Sequence, residues 1–79
     1  MTLVACIGGG QLGRMLGLAG LPLGLRFRFL DPSPAAPVTD VGELVVGAFD
    51  DPAALARLVA SADVVTYEFE NVPADAAFS

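Results

Sequence analysis

Histidine and tryptophan are absent from this 79-residue chain, which contains one cysteine and only four basic residues. The lack of histidine removes the commonest general base. The lone Cys6 excludes an internal disulfide. Its position in an apolar run predicts a buried thiol, consistent with a reducing compartment.

Positive charge is scarce as well. Nine acidic residues against four basic ones give a net charge of −5, which argues against nucleic acid or an anionic membrane as a partner. Any phosphate bound here therefore depends on main-chain dipoles or on cations supplied from elsewhere. The most apolar run, "MLGLAGLPLGL", is too short to cross a bilayer, and the N-terminus has no secretory signal, so we expect a cytoplasmic protein.

What the chain has in excess is apolar surface. Hydrophobic residues make up 54% of the sequence, and the mean hydropathy is +0.66. Residues 1–79 are enough for one small domain. They stop at "ADAAFS", inside a predicted helix, so we expect the first domain of a longer protein, with apolar surface that contacts other domains or a second subunit.

Apolar periodicity and turn residues predict alternating strands and helices. We predict four strands, at 2–7, 25–30, 43–49 and 63–71. A helix from Gln11 to about Leu21, ended by Pro22 and Gly24, follows the first strand. A second helix, with Asp51 as N-cap and Pro52 at its first position, follows the third strand, and another begins at Asn71. Residues 31–40 are predicted to form a stiffened, proline-rich surface loop. Right-handed crossovers then give an α/β fold with a mostly parallel four-stranded sheet, strand order 3-2-1-4, flanked by helices.

The spacing of apolar residues also predicts which faces are buried. We expect the first helix to bury Leu12, Met15, Leu16 and Ala19, and the second helix to bury Leu55, Leu58 and Val59. The second strand alternates as in a half-covered strand, with Phe27 and Phe29 on one face and Arg26 and Arg28 on the other.

A glycine-rich loop follows the first predicted strand, and Gly8, Gly10 and Gly13 fit the pattern G-x-G-x-x-G. Such a loop lets a ligand approach the main chain, while the first N–H groups of the helix, from Gln11 and Leu12 onward, have no intrahelical partner. Together with the helix dipole they form an anion site. A dinucleotide and a phosphorylated sugar both fit this loop, and tight packing alone would also explain its glycines.

The loops after the first and fourth strands share one crevice in the order 3-2-1-4. Glu68 and Glu70 of "YEFEN" then point to the same side. Two carboxylates there would repel a pyrophosphate and suit a ligand that offers hydroxyl or amino donors beside a single phosphate. Glu70 fits a solvated strand end equally well. Arg14, in the first helical turn, could reach a phosphate, although a solvated arginine is the commoner outcome.

Asp31 ends the second strand about 20 residues beyond the glycine loop, where dinucleotide-binding folds place the acid that binds ribose. Pro32 holds Asp31 extended, so this residue also suits an anchor for the proline-rich loop, and we favour that structural role. Three hypotheses remain open from the residues: an NAD(P)-binding half of an oxidoreductase, a site for a phosphorylated substrate, and a non-catalytic interaction module.

Three segments together resemble a known family: "GGGQLGRML", "LDPSPAAP" and "DVVTYEFENVP". In this order, and over nearly all of residues 1–79, they look like the Rossmann-like pre-ATP-grasp domain at the N-terminus of the 5-(carboxyamino)imidazole ribonucleotide synthetases. These are the ATPase components of phosphoribosylaminoimidazole carboxylase, ligases of purine biosynthesis with the ATP-grasp fold.

The resemblance implies a reaction and a division of labour. ATP and bicarbonate give carboxyphosphate, which carboxylates aminoimidazole ribonucleotide. The family's ATP and Mg²⁺ sites lie in central and C-terminal domains that this segment lacks, so the resemblance implies no catalytic, cofactor or metal residue here, no activity of the segment alone, and a homodimeric enzyme. It places the ribonucleotide phosphate at the main chain of Gly10, Gln11 and Leu12, and the sugar or ring at Glu68.

Overall fold

Residues 2–67 are described by a computed structural model. They form β1 (Leu3–Ile7), α1 (Gln11–Gly20), β2 (Arg26–Asp31), β3 (Glu43–Val46), α2 (Pro52–Val59) and β4 (Val64–Tyr67), with single 3₁₀ turns at Leu21–Leu23 and Pro37–Asp40. The predicted order of elements is confirmed. β3 is shorter than predicted, because the chain bends at Gly47. The predicted helix from Asn71 and the end of the fourth predicted strand lie outside the described residues.

The four strands form one parallel sheet in the order β3-β2-β1-β4, which confirms the predicted topology. Alternate residues of β1 belong to two separate cores, since successive side chains of a strand point to opposite faces. One core joins Val4 and Cys6 to α1 and the Pro37–Asp40 turn, and the other joins Ala5 to α2. The two helices therefore cover opposite faces of the sheet. No helix among residues 2–67 has the length and apolarity needed to cross a bilayer.

Glycines form the buried face of α1, and the predicted stripe of larger side chains is wrong for Met15 and Ala19. The buried residues of this helix are Gly13, Gly17 and Gly20, and Leu16 packs against the core beside them. Of the predicted stripe, Leu12 and Leu16 are half-buried, whereas Met15 is 62% exposed and Ala19 is also exposed.

Close contact with the sheet explains this rotation of α1. A Cβ at Gly17 would lie 2.8 Å from Cγ2 of Val41, and one at Gly20 would overlap the ring of Phe27. The rings of Phe27 and Phe29 stack with centroids 5.9 Å apart and fill the space beneath the helix. The ring of Phe27 thus leaves room only for glycine at position 20, and the side chain of Val41 does the same at position 17.

The second face of β2 is also covered, which corrects the prediction of a half-covered strand. Phe27 and Phe29 are buried as predicted, but the Arg28 side chain on the other face is only 17% exposed. Its Nη1 donates to the carbonyl oxygens of Arg57 (3.1 Å), Leu58 (3.2 Å) and Ala60 (2.8 Å) at the end of α2. Arg28 also pairs with Glu43 across 3.0 Å. It therefore caps a helix C-terminus, where a cation is favourable.

The buried face of α2 is centred on Ala54 and Leu58, both fully buried. Leu55 is half-buried, whereas Val59 is 41% exposed, so the prediction of a buried Val59 is wrong. Asp51 is the N-cap as predicted, and its carboxylate accepts from the main-chain N–H of Ala53 at 3.0 Å. The small Ala54 takes the inward position because the helix lies close to the bend at Gly47, where a Cβ would be 2.7 Å from Cβ of Ala54.

The proline-rich segment is a covering layer of the sheet and not only a surface loop. Ala36 is 3% exposed and Val38 is fully buried, and both belong to the core under α1. The 3₁₀ turn at Pro37–Asp40 stands where many α/β units have a full helix between two parallel strands. It takes over the burial of β2 on that face.

Replacing Gly13 with alanine should destabilise the fold. A Cβ at this position would lie 2.8 Å from the main-chain oxygen of Gly8, which cannot move without moving the loop. We expect a loss of about 1–3 kcal/mol in the free energy of unfolding from this overpacking. The loss should outweigh the gain of about 1 kcal/mol in helix propensity.

Chemical denaturation followed by circular dichroism measures this change. Met15→Ala is the control, since Met15 is the most exposed large side chain of α1 and its truncation should change stability little. An alanine variant at position 13 as stable as the parent would contradict the close approach of α1 to the loop.

Candidate functional site

The ends of three strands meet at one edge of the sheet. Ile7, the last residue of β1, is paired with Leu30 of β2 on one side and with Tyr67 of β4 on the other. The glycine loop that follows Ile7 therefore lies between the ends of its two neighbours. In parallel α/β sheets ligands bind at this edge, where the strand order reverses. The predicted pairing of β1 with β4 is confirmed, whereas the juxtaposition of the loops that follow them stays a prediction, since the loop after β4 begins beyond Tyr67. Glu68 and Glu70 lie outside the described residues.

The first part of the glycine loop is held by hydrogen bonds to the end of β2. The main-chain N–H of Gly8 donates to the carbonyl oxygen of Leu30 at 2.8 Å, and that of Gly9 donates to Oδ2 of Asp31 at 3.0 Å. Beneath the loop, the fully buried Cys6 directs its Sγ to the carbonyl oxygen of Gly8 at 3.6 Å. The predicted burial of Cys6 is confirmed. Gly8 and Gly9 thus use their N–H groups within the fold.

Three of the loop glycines have a structural reason to be glycine. Gly8 has φ of 111°, a value that favours glycine. A Cβ at Gly9 would lie 3.0 Å from both Cβ of Asp31 and Cγ2 of Val38. Gly13 lies against the main chain of Gly8, as described above. The packing interpretation of this loop is therefore correct for these positions.

Gly10 is the exception. Its φ of −80° is open to any residue, and a Cβ there would have no atom of the described residues within 4 Å. Gly10 is also the N-cap of α1, where serine, threonine, asparagine or aspartate would supply a capping oxygen. Within residues 2–67 the fold therefore neither requires glycine here nor benefits from it. The missing side chain leaves the start of α1 open to a ligand.

The N-terminus of α1 presents unsatisfied donors at this opening. The first main-chain bond of the helix runs from Arg14 N–H to the Gly10 carbonyl oxygen at 3.0 Å. Among residues 2–67, no group accepts from the N–H of Gln11 or Leu12, and the first turn carries no acidic side chain. Free N–H groups and the positive end of the helix dipole favour an anion. The free donors suit the predicted role of Gly10, Gln11 and Leu12, and the binding of a phosphate by these residues stays a prediction.

Arg14 is engaged by a residue that the sequence did not single out. Its Nε and Nη2 lie 3.3 and 2.9 Å from the two carboxylate oxygens of Asp40. The hydrogen bond from Arg14 holds the pKa of Asp40 below its ordinary value, and the same bond raises the pKa of Arg14. The pair joins α1 to the Pro37–Asp40 turn. No signal in the sequence marked Asp40, because the turn that places it was predicted as irregular loop.

Asp31 has the structural role that the sequence favoured. Its Oδ2 accepts from Gly9 N–H at 3.0 Å, and its Oδ1 accepts from Ser33 N–H at 2.9 Å. Both oxygens are thus engaged by main-chain groups of this domain, one in the glycine loop and one in the proline-rich segment. An acid that binds ribose has to direct its oxygens at the ligand instead, so this geometry does not favour the NAD(P) alternative.

These features define a class: an α/β nucleotide-type domain whose first βα turn presents free main-chain donors at the switch point of a parallel sheet. The family model for the ribonucleotide synthetase preATP-grasp domain matches residues 1–79. The chain belongs to this family.

Relatives of known structure and sequence agree. N5-carboxyaminoimidazole ribonucleotide synthetase from Thermus thermophilus superposes with a TM-score of 0.84 at 62% identity, over 98% of this chain and 21% of that one. The Staphylococcus aureus enzyme, solved in complex with ADP, superposes with a TM-score of 0.84 at 40% identity. The match covers 94% of this chain and 20% of that one. The synthase from Pseudomonas aeruginosa is 51% identical over 72 residues, which are 91% of this chain and 20% of that protein. The chain thus spans about a fifth of the length of these relatives.

Replacing Arg14 with alanine should raise the pKa of Asp40 towards its ordinary value, because the carboxylate loses both a hydrogen bond and a positive neighbour. The carboxyl ¹³C shift of Asp40, followed by NMR through an acid titration, measures this pKa. Since folding lowers the pKa, the contribution of the pair to stability is present at neutral pH and is lost as the pH falls through the pKa of folded Asp40.

Arg57→Ala is the control for this titration, because Arg57 is exposed on α2, at the opposite face of the sheet. This variant should leave the Asp40 titration unchanged. Identical curves for the parent and Arg14→Ala would show that the pair does not form in solution.

Proposed function

We propose that this chain is the N-terminal, substrate-binding domain of an ATP-dependent ligase that carboxylates 5-aminoimidazole ribonucleotide with bicarbonate in purine biosynthesis. Membership of the ribonucleotide synthetase preATP-grasp family supports this function, as do relatives named N5-carboxyaminoimidazole ribonucleotide synthase. The observation that carries the proposal is the open start of α1, where Gly10 leaves space and two N–H groups lack an acceptor within the described part of the chain.

The ribonucleotide phosphate binds at Gly10, Gln11 and Leu12 in this proposal. A phosphate monoester brings two negative charges to a chain whose own net charge is −5, so neutral main-chain donors and the helix dipole have to supply much of the attraction. The absence of an acidic side chain from the first turn of α1 suits that role. Arg14 assists only if its guanidinium leaves Asp40 or binds both anions.

Glu68 accepts hydrogen bonds from the sugar or ring of the same ligand, and Glu70 is a second candidate. Tyr67 supports this proposal, because it is paired with Ile7, the residue from which the glycine loop begins. Glu68 follows Tyr67 directly in the sequence. A carboxylate suits hydroxyl and amino donors, which the ribonucleotide provides beside its one phosphate.

The remaining parts of the reaction belong to other regions of the complete protein. In this proposal ATP and Mg²⁺ bind to central and C-terminal domains, the enzyme is a cytoplasmic homodimer, and residues 1–79 alone have no activity. The ADP complex of the Staphylococcus aureus relative supports a nucleotide site in the complete protein. Exposed apolar side chains, among them Leu23 at 77% exposure and Val65 at 54%, suit contacts with such domains.

Introducing a capping carboxylate at Gly10 should separate stability from binding. Gly10→Asp supplies the missing N-cap, which should raise the free energy of unfolding by a few tenths of a kcal/mol. The same carboxylate occupies the free N–H groups and repels the phosphate. We expect the KM for the ribonucleotide to rise by more than about tenfold in the complete protein.

Steady-state kinetics with varied ribonucleotide and varied ATP, together with thermal unfolding, measure both effects. Ala56→Asp is the matched control, since it adds the same charge at an exposed position of α2, away from the loop. Normal ribonucleotide kinetics in a correctly folded Gly10→Asp protein would refute the phosphate site.

Truncating Glu68 should weaken the binding of the same ligand, through the loss of a contact with its sugar or ring. Loss of a hydrogen bond to a charged group costs about 1.5–3 kcal/mol, so Glu68→Ala should raise the KM for the ribonucleotide about tenfold or more. The KM for ATP should not change.

Glu43→Ala is the control for Glu68, because Glu43 is an exposed carboxylate at the start of β3, at the opposite edge of the sheet. An unaltered ribonucleotide KM in Glu68→Ala would remove Glu68 from the site, and Glu70→Ala would then be the variant to compare.

A further inference from the structure

Two short loops contact each other beneath the anion site: the glycine loop after β1 and the proline-rich segment after β2. We infer that Asp31 is a positioning residue for the phosphate of the substrate, acting through the main chain of Gly9. This inference rests on the proposed function, since it concerns the same site. Asp31 itself does not touch the ligand.

The Asp31 carboxylate joins the two loops through both of its oxygens. Oδ2 accepts from Gly9 N–H at 3.0 Å, and Oδ1 accepts from Ser33 N–H at 2.9 Å. Neighbouring main-chain bonds, from Gly8 N–H to the Leu30 oxygen and from Gly47 N–H to the Asp31 oxygen, fix the end of β2. Asp31 is therefore a rigid support for the glycine loop.

Packing holds Gly9 from the same side. Its Cα lies so close to Asp31, Ala36 and Val38 that an added Cβ would be 3.0 to 3.3 Å from their side-chain carbons. Ala36 and Val38 are buried, so this surface cannot retreat. The position of Gly9 is thus set by one hydrogen bond and one close contact, and Gly10 follows it directly.

The orientation of the free donors depends on this support. Gly9 and Gly10 are joined by one peptide plane, and the N–H groups of Gln11 and Leu12 come next. A loop of three glycines has more accessible conformations than any other sequence of that length. Anchoring Gly9 removes this freedom before the ligand arrives, which is the advantage of a preorganised site.

Geometry, rather than charge, is the reason for an acid at position 31. A carboxylate close to a phosphate site repels the ligand, so an electrostatic role alone would make removal of the charge favourable. Two acceptor oxygens are needed, however, one for each loop. Asparagine has one acceptor oxygen and no charge, whereas alanine has neither an acceptor nor a charge. The difference between the asparagine and alanine variants therefore measures the contribution of the acceptor apart from that of the charge.

The test compares Asp31→Ala, Asp31→Asn and Asp63→Ala in the complete protein. Asp63 is the matched control, because its carboxylate also accepts a main-chain N–H, that of Leu3 at 2.8 Å, but at the opposite edge of the sheet. The measurements are KM for ribonucleotide and for ATP, kcat, the thermal unfolding temperature, and the dissociation constant for ribose 5-phosphate by calorimetry.

Asp31→Ala should raise the KM for the ribonucleotide and the dissociation constant for ribose 5-phosphate about tenfold, which corresponds to about 1.4 kcal/mol. The KM for ATP should stay unchanged. Asp31→Asn, which keeps one acceptor, should recover part of the affinity. Asp63→Ala should lower the unfolding temperature and leave both ligand constants as they are.

Affinity that is unchanged or tighter in Asp31→Ala would overturn the inference, and so would equal losses in the Asp31 and Asp63 variants. The calorimetry separates this result from the proposed function. A parent protein that binds ribose 5-phosphate but consumes no ATP with aminoimidazole ribonucleotide and bicarbonate would refute that function, while the comparison of dissociation constants would still decide the role of Asp31.

Discussion

Parallel pairing of β1 with a strand on each side is the constraint on which the rest of this structure depends. Because Ile7 is opposite both Leu30 and Tyr67, the ends of β1 and β2 and the last described residue of β4 lie at one edge of the sheet. The glycine loop then has an acid from β2 on one side and Tyr67 of β4 on the other. Ile7, Leu30 and Tyr67 are far apart in the sequence, so their juxtaposition exists only through the strand order.

The glycines of the loop are glycine for different reasons. A G-x-G-x-x-G pattern is compatible with packing alone, and the structure assigns packing or conformational reasons to Gly8, Gly9 and Gly13. Among residues 2–67, nothing gives Gly10 such a reason. The binding interpretation therefore depends on this glycine, together with the donors that follow it.

Topology was predictable from the sequence to a greater degree than burial. Strand order follows from alternating elements and right-handed crossovers, which depend on where strands and helices occur and not on their faces. The exposed Met15 shows where the prediction of burial from hydrophobic periodicity fails. Hydrophobic periodicity assumes that larger apolar residues are turned inward, whereas close contacts with Phe27, Val41 and the main chain of Gly8 leave room only for glycine on the inner face of α1.

Partners that belong to irregular segments were also beyond prediction. Asp40 pairs with Arg14 only because a 3₁₀ turn replaces a helix after β2, and Arg28 reaches three carbonyl oxygens only because α2 ends above it. Side chains of this kind have no periodic signature. Asp31 is intermediate: its place at the end of a strand was visible, but the choice between ligand and loop required the positions of both of its oxygens.

The buried thiol beneath the glycine loop is a natural probe of local opening. Cys6 is the single cysteine of the chain, is fully buried, and directs its sulfur at the carbonyl oxygen of Gly8. An alkylating reagent can reach it only when the surrounding structure opens. The rate of alkylation under native conditions therefore reports the free energy of local opening beneath the glycine loop, without a mutation.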